Sequence, residues 1–107
     1  MNWNTINDEA AIEQIKINSS QKPQVIFKHS TRCSISSMAK SRLERSETPD
    51  GIDFHYLDLI KYRNISNLIE KVFDVEHASP QVLLIKDGVC IYNESHNGID
   101  MQMLIGN

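Results

Sequence analysis

One junction constrains this chain more than any other stretch. Gln24-Val25-Ile26-Phe27-Lys28 is short, apolar and partly β-branched, which suits a buried strand. It passes without a break into a polar segment, His29-Ser30-Thr31-Arg32-Cys33-Ser34. Ile35, Met38, Ala39 and Leu43 follow at a spacing that puts them on one helical face. Thr48-Pro49-Asp50-Gly51 is a strong turn, and Ile52 to Leu59 alternates Ile52, Phe54 and Tyr56 on one side, as a second strand does. Two strands joined through a helix run parallel with a right-handed crossover.

The flanking segments complete the pattern. Residues 8–18 read as an amphipathic helix capped by Asn7, with Ala11, Ile12 and Ile15 as a narrow apolar stripe. Asn64 is placed to cap a helix carrying Ile65, Leu68, Ile69, Val72 and Phe73, the cleanest helical period in the chain. Residues 75–80 read as a loop and Val82 to Ile85 as a strand. Lys86-Asp87-Gly88 is a hairpin turn, Val89 to Asn93 its returning strand, and Ile99 to Ile105 a short closing helix. The expected sheet is four-stranded and mixed, with 24–28 inside, 52–59 and 81–86 beside it, and 89–93 at the edge. That order of elements resembles the thioredoxin fold, an α/β class, with one extra N-terminal helix. The 107 residues leave room for a single domain, 1–107, and no repeat or linker divides them.

Composition removes several classes of function. Eleven Lys and Arg against fourteen Asp and Glu give a net charge of −3, so neither nucleic acid nor an anionic membrane is expected as a partner. No apolar run approaches the roughly 18 residues of a membrane span, and the N-terminus lacks the basic and apolar parts of a secretory signal. The expected compartment is the cytoplasm, where thiols stay reduced. Two cysteines, Cys33 and Cys90, are too few for a disulfide scaffold or a four-cysteine zinc site. His29, His55, His77 and His96 show no metal-ligand spacing, so no metal is expected, and the scattered acids suggest no paired-carboxylate chemistry. Trp3 is expected against the sheet or the first helix.

Cys33 is the candidate for chemistry. It stands where the first core strand gives way to a helix, and the unpaired N–H groups and dipole at a helix start favour a thiolate. Arg32 is adjacent, and Lys28 or His29 adds to the effect if it faces the sulfur. Ser36 stands where a dithiol motif has its second cysteine, and a hydroxyl closes no intramolecular disulfide. Ser36 either donates to the sulfur or satisfies backbone groups in the first helical turn. Ser79-Pro80 precedes the third core strand, the place at which the thioredoxin fold has a cis-proline facing the cysteine. Cys90, between Val89 and Ile91, reads as a buried structural thiol.

Lys28-His29-Ser30-Thr31-Arg32-Cys33-Ser34-Ile35-Ser36, His77-Ala78-Ser79-Pro80-Gln81-Val82 and Ser95-His96 together resemble the monothiol bacilliredoxins, the YtxJ-like general stress proteins. The resemblance covers nearly the whole chain. It departs from the family's usual Thr-Cys-Pro-Ile-Ser at Arg32 and Ser34. Losing the proline leaves an N–H at Ser34 and a more pliable first turn. The resemblance implies a cytoplasmic oxidoreductase with Cys33 as nucleophile, which takes bacillithiol from mixed disulfides on S-thiolated client proteins. Bacillithiol is then a co-substrate, with no bound cofactor, and the protein is expected to act as a monomer. Arg32, Ser34 and Ser36 support the cysteine, while His29, His77, Ser79 and Pro80 line the substrate groove. Two other readings stay open: a non-catalytic redox sensor or partner-binding module, and an iron–sulfur carrier like the monothiol glutaredoxins, whose Cys-Gly-Phe-Ser is absent here.

Overall fold

A computed structural model describes residues 1–107. At its centre is β2 (Gln24–His29), all six residues of which are buried. β3 (Asp53–Asp58) pairs with it in parallel, Val25 opposite Phe54, and β4 (Gln81–Lys86) pairs antiparallel, Val25 opposite Leu84. β5 (Val89–Ser95) is antiparallel to β4, and α2 (Ser34–Arg45) is the crossover from β2 to β3. The remaining helices are α1 (Ala10–Asn18), α3 (Arg63–Phe73) and α4 (Met101–Ile105), the last preceded by a 3-10 turn at His96–Gly98. None is long and apolar enough to cross a membrane.

The sheet has five strands rather than four, in the order β1-β3-β2-β4-β5. The additional β1 (Asn4–Thr5) pairs in parallel with β3, Asn4 opposite His55. Its two exposed polar side chains carry no strand pattern; only main-chain pairing makes it a strand. Ile6 follows it into the core, its N–H bonded to Tyr56 O at 2.9 Å.

Alternation along β2 divides the core. Ile26 faces α1 and α3 with Ile12, Leu57, Ile69 and Leu83, whereas Val25 and Phe27 face α2 and α4 with Leu43, Phe54 and Leu104. Trp3 packs on the second side, stacked on Phe27 at 5.7 Å and edge-on to Phe54, and its Nε1 donates to Glu44 Oε2 at 2.8 Å.

Three helices differ in detail from their sequence patterns. α1 begins at Ala10, and Asp8, not Asn7, supplies the cap by accepting from the Ala11 N–H at 3.0 Å. Asn64 lies inside α3; the turn into that helix is built instead on Asp58, whose Oδ1 accepts from the N–H groups of Ile60 and Lys61. On α2 the inward residues are Ser36, Ala39 and Leu43, while Ile35 and Met38 are 41% and 61% exposed. A buried serine displaces the apolar stripe because its hydroxyl finds partners underneath.

The β4–β5 hairpin turns through Asp87 and Gly88, with φ of 52° and 81°, the left-handed pair that matches strand twist. A Cβ at Gly88 would meet only the Lys16 side chain at 3.7 Å, so the conformation rather than crowding requires glycine. Gly88→Ala should lower stability by about 1 kcal/mol in urea unfolding, with the slope of the transition unchanged.

Candidate active site

Cys33 is the N-cap residue of α2, with extended backbone (φ −114°, ψ 119°). Its N–H donates to Ser30 O at 3.2 Å, and its carbonyl accepts from Ser37 N–H at 3.1 Å, which closes a tight loop ahead of the helix. The N–H groups of Ser34, Ile35 and Ser36 make no hydrogen bond within the chain, so the orphan donors of the helix start directly follow a half-buried cysteine. Arg32 and Ser34 flank it, both exposed, and Arg32 forms no ion pair.

Ser36 is wholly enclosed. Its Oγ lies 2.6 Å from His29 Nδ1 and accepts from the Ser30 N–H at 3.1 Å. Both partners belong to the segment that leads into Cys33, so this hydroxyl pins the start of α2 to the end of β2. No hydrogen bond joins it to Cys33. His29 is 6% exposed, its ring 5.7 Å from Phe27 and 5.5 Å from Tyr56. Burial and the nearby Lys40 ammonium push its pKa below the usual imidazole value, against the pull of Asp58 and Glu44. This corrects the placement of His29 in a substrate groove: it is the last residue of β2, and the inward alternation of that strand carries its ring beneath the cysteine loop.

Pro80 lies one residue beyond the Lys28–Gln81 pair, beside the end of β2 from which Cys33 emerges. The Ser79–Pro80 peptide bond is cis. Ser79 is half-buried, and neither its N–H nor its C=O is bonded within the chain. Side chains and main chain hold the loop around it: Gln81 Nε2 donates to Glu76 O at 3.0 Å, and His96 N–H donates to Pro80 O at 3.1 Å. His77 is exposed but anchored to α3, its N–H donating to Glu70 and its ring nitrogen 3.4 Å from Ser66 Oγ. Burial, Lys28 and Arg63 lower its pKa against the opposing pull of Glu70.

Lys28 departs furthest from expectation. Strand alternation turns it away from Cys33 to the α3 side with Ile26, where it is fully buried and Nζ has no partner. Burial pushes its pKa down to about 8, against the opposing effect of Glu70. The hydroxyl of Ser79 is the other buried side-chain polar atom without a partner. No sequence signal marks either group; a lysine at a strand end reads as solvent-facing.

Cys90 is half-buried rather than fully buried, and burial raises its pKa. It pairs with Ile85, which faces Gln24 at the opposite end of β2 from His29. Five residues of strand at roughly 3.3 Å each separate those ends, so Cys90 cannot serve Cys33 as a resolving thiol. Cys90→Ser should leave thiol exchange unchanged and shift stability by less than about 1 kcal/mol, checked by a thiol-transfer assay and urea unfolding. No group of three His, Cys, Asp or Glu side chains is placed to hold a metal. His55, for one, is engaged with Gln24 Oε1 at 2.7 Å.

The site is therefore one thiol at a helix start, a pinned hydroxyl where a second thiol would stand, and an unpaired stretch of main chain beside a cis-proline. Known proteins share the fold that carries it. A thioredoxin-fold protein proposed to be an oxidoreductase superposes with a TM-score of 0.83 at 26% identity, over 96% of this chain and 90% of its own. Thioredoxin from Malassezia sympodialis aligns with a TM-score of 0.73 at 21% identity, over 98% of this chain and 86% of its own. Fasciola hepatica thioredoxin gives 0.76 at 14% identity, over 96% and 93%; these last two likenesses speak for the fold alone. The family model of the monothiol bacilliredoxin BrxC matches residues 4–104.

Proposed function

The chain belongs to the monothiol bacilliredoxin family, and on that premise we propose that it removes bacillithiol from mixed disulfides on cytoplasmic proteins, with Cys33 as nucleophile. Family and fold together make it a thiol–disulfide oxidoreductase. The observation that carries the finer reading is the solitary thiol: the position that would resolve a disulfide is Ser36, and its hydroxyl is committed to His29 and Ser30.

In the proposed reaction the Cys33 thiolate attacks the bacillithiol sulfur of the client's mixed disulfide. The client sulfur leaves as a thiolate and takes a proton from water. Cys33 is left carrying bacillithiol. A second bacillithiol thiolate then attacks the bacillithiol sulfur on Cys33, which releases bacillithiol disulfide and restores the Cys33 thiolate. One disulfide is exchanged for another: the client sulfur is reduced to a thiol, and the incoming bacillithiol is oxidised into bacillithiol disulfide. Rates in such exchanges follow the thiolate fraction of the attacking group and access to the sulfur.

The other site residues take supporting parts. The free N–H and C=O of Ser79, fixed beside Pro80, offer an extended client segment a main-chain partner. Arg32, exposed, and the unbonded N–H of Ser34 flank Cys33 in the chain, and His77 belongs to the loop that carries Ser79. The test is turnover on one client protein prepared in two forms, S-bacillithiolated and S-glutathionylated. Repeated turnover of the bacillithiol form, with the glutathione form at least tenfold slower, is expected. Equal rates, or a single stoichiometric transfer without turnover, would overturn the proposal.

A further inference from the structure

The outer face of α2 carries a basic hollow that the steps above leave unused. Ser37, Met38, Ser41, Arg42 and Arg45 line a cavity of about 370 Å³ along it. None of these residues is acidic. Every other hollow on the surface has two carboxylates in its wall: Asp50 and Asp53, Glu47 and Asp50, or Glu13 and Asp87. A chain of net charge −3 thus keeps two guanidiniums together with no counter-charge, and neither forms an ion pair. The helix dipole favours cations in a last turn, which accounts for their charge but not for their shared cavity. Arg42 is held in place: Nε and Nη2 donate to Ile99 O at 3.1 and 3.0 Å, and Nη2 donates to His96 O at 3.3 Å. That occupies three of the five N–H donors of a guanidinium and leaves both on Nη1 free. Arg45 is exposed.

The hollow begins one helical turn beyond the nucleophile. Ser37 N–H donates to Cys33 O at 3.1 Å, and the helical rise sets Ser41 about 12 Å from Cys33 along the axis. Arg45 shares the cavity with Ser37, two turns earlier, as a long side chain leaning towards the helix N-terminus does. Bacillithiol joins cysteine to glucosamine and glucosamine to malate. Its two carboxylates therefore stand at the end remote from the sulfur, roughly 10 Å away at standard bond lengths. We propose that the cavity of Arg42 and Arg45 receives the malate carboxylates of the bacillithiol held on Cys33 in the mixed disulfide. The inference rests on the reading of Cys33 as the nucleophile towards bacillithiol, and it adds the site by which one small thiol is told from another. A carboxylate matches the planar fork of a guanidinium. Ser37 and Ser41 offer hydroxyls to the sugar, and Met38, 61% exposed, an apolar wall.

Competition for Cys33 tests this in the Cys90→Ser protein. The protein is equilibrated with equal amounts of bacillithiol and of its malate-free analogue, the methyl glycoside of cysteinyl glucosamine, each supplied as thiol and disulfide. Intact mass then counts the two adducts. The sulfur end is the same in both, and the net charge of the chain alone would favour the analogue. The bacillithiol adduct should nevertheless exceed the other by about tenfold, the worth of one charge-assisted hydrogen bond. In Arg45→Gln the two adducts should approach parity. Equal adducts in the parent, or a preference that Arg45→Gln leaves intact, would overturn the inference. The NMR signal of the Arg45 Nε–H gives a second reading on the unsubstituted cavity: it should move in the bacillithiol adduct and not in the other, and an unmoved signal counts against the inference. Client turnover is measured separately. Turnover without a preference between the thiols sinks the inference alone, while a preference without turnover sinks the proposed function.

Discussion

Cys33→Ser should reduce thiol transfer from a bacillithiolated client to the uncatalysed rate, a loss on the order of 10³-fold or more, equivalent to about 4 kcal/mol in the barrier. The substitution changes one atom at a helix start whose other contacts are main-chain: the N–H to Ser30 O and the carbonyl to Ser37 N–H both survive. Folding is therefore expected to be intact, and serine is itself a good N-cap. What is lost is the sulfur nucleophile, and a serine hydroxyl is too weak an acid to supply an anion in its place. No other thiol can replace it, because Cys90 lies at the far end of the sheet. Circular dichroism unchanged from the parent, with transfer gone, is the expected pair of observations. A Cys33→Ser protein that retains a tenth of the activity would place the chemistry elsewhere.

The largest expected effect on stability lies one strand face away. Lys28 is fully buried with no hydrogen-bond partner for Nζ, and its pKa is about 8 where a free lysine has 10.5. Below pH 8 the amine is protonated in both folded and unfolded chains, so the folded state bears the full cost of the buried charge. As pH climbs from 8 to 10.5 the folded protein gives up its proton before the unfolded chain does, and the cost disappears. The unfolded state binds more protons across that window, so stability rises with pH there. At about 1.36 kcal/mol per pH unit the interval amounts to about 3 kcal/mol. Lys28→Met keeps the length of the side chain and removes the charge. It should be more stable than the parent by about 2–3 kcal/mol at pH 7 in urea unfolding, with the difference closing towards pH 10.5. The neighbouring polar group Gln81 is already bonded to Glu76 O and Ala78 N–H, so the substitution leaves it satisfied. A variant less stable than the parent at pH 7 would show that the ammonium has a partner in solution. The parent retains this destabilising cation beside the loop that carries Ser79 and Pro80, which is where a fold tends to trade stability for function.

Local pattern made much of this molecule legible. The apolar run of β2, the period of α3 and the Lys86-Asp87-Gly88 turn each state their own geometry, and together they leave few topologies. The placement of Cys33 follows from them, because a chain that leaves a buried strand and enters a helix must expose the junction. What stayed hidden depends on partners distant in sequence. β1 is held by main-chain pairing with β3, to which Asn4 and Thr5 contribute no apolar signal. Ser36 satisfies a backbone group, the Ser30 N–H, as a first-turn serine can, but nothing in the sequence marks His29 beneath it, and its burial also turns Ile35 and Met38 outward. His29 and Lys28 read alike as polar residues at a strand end. The strand's alternation sends them to opposite faces, one under the cysteine loop and the other beneath α3.

Intact-mass spectrometry after a single exposure of the reduced protein to a bacillithiolated client tests the solitary-thiol account most directly. The account predicts one bacillithiol added per chain, localised by digestion to Cys33, together with a fully reduced client. A chain of unchanged mass, a stable protein–client disulfide, or an adduct confined to Cys90 would contradict it.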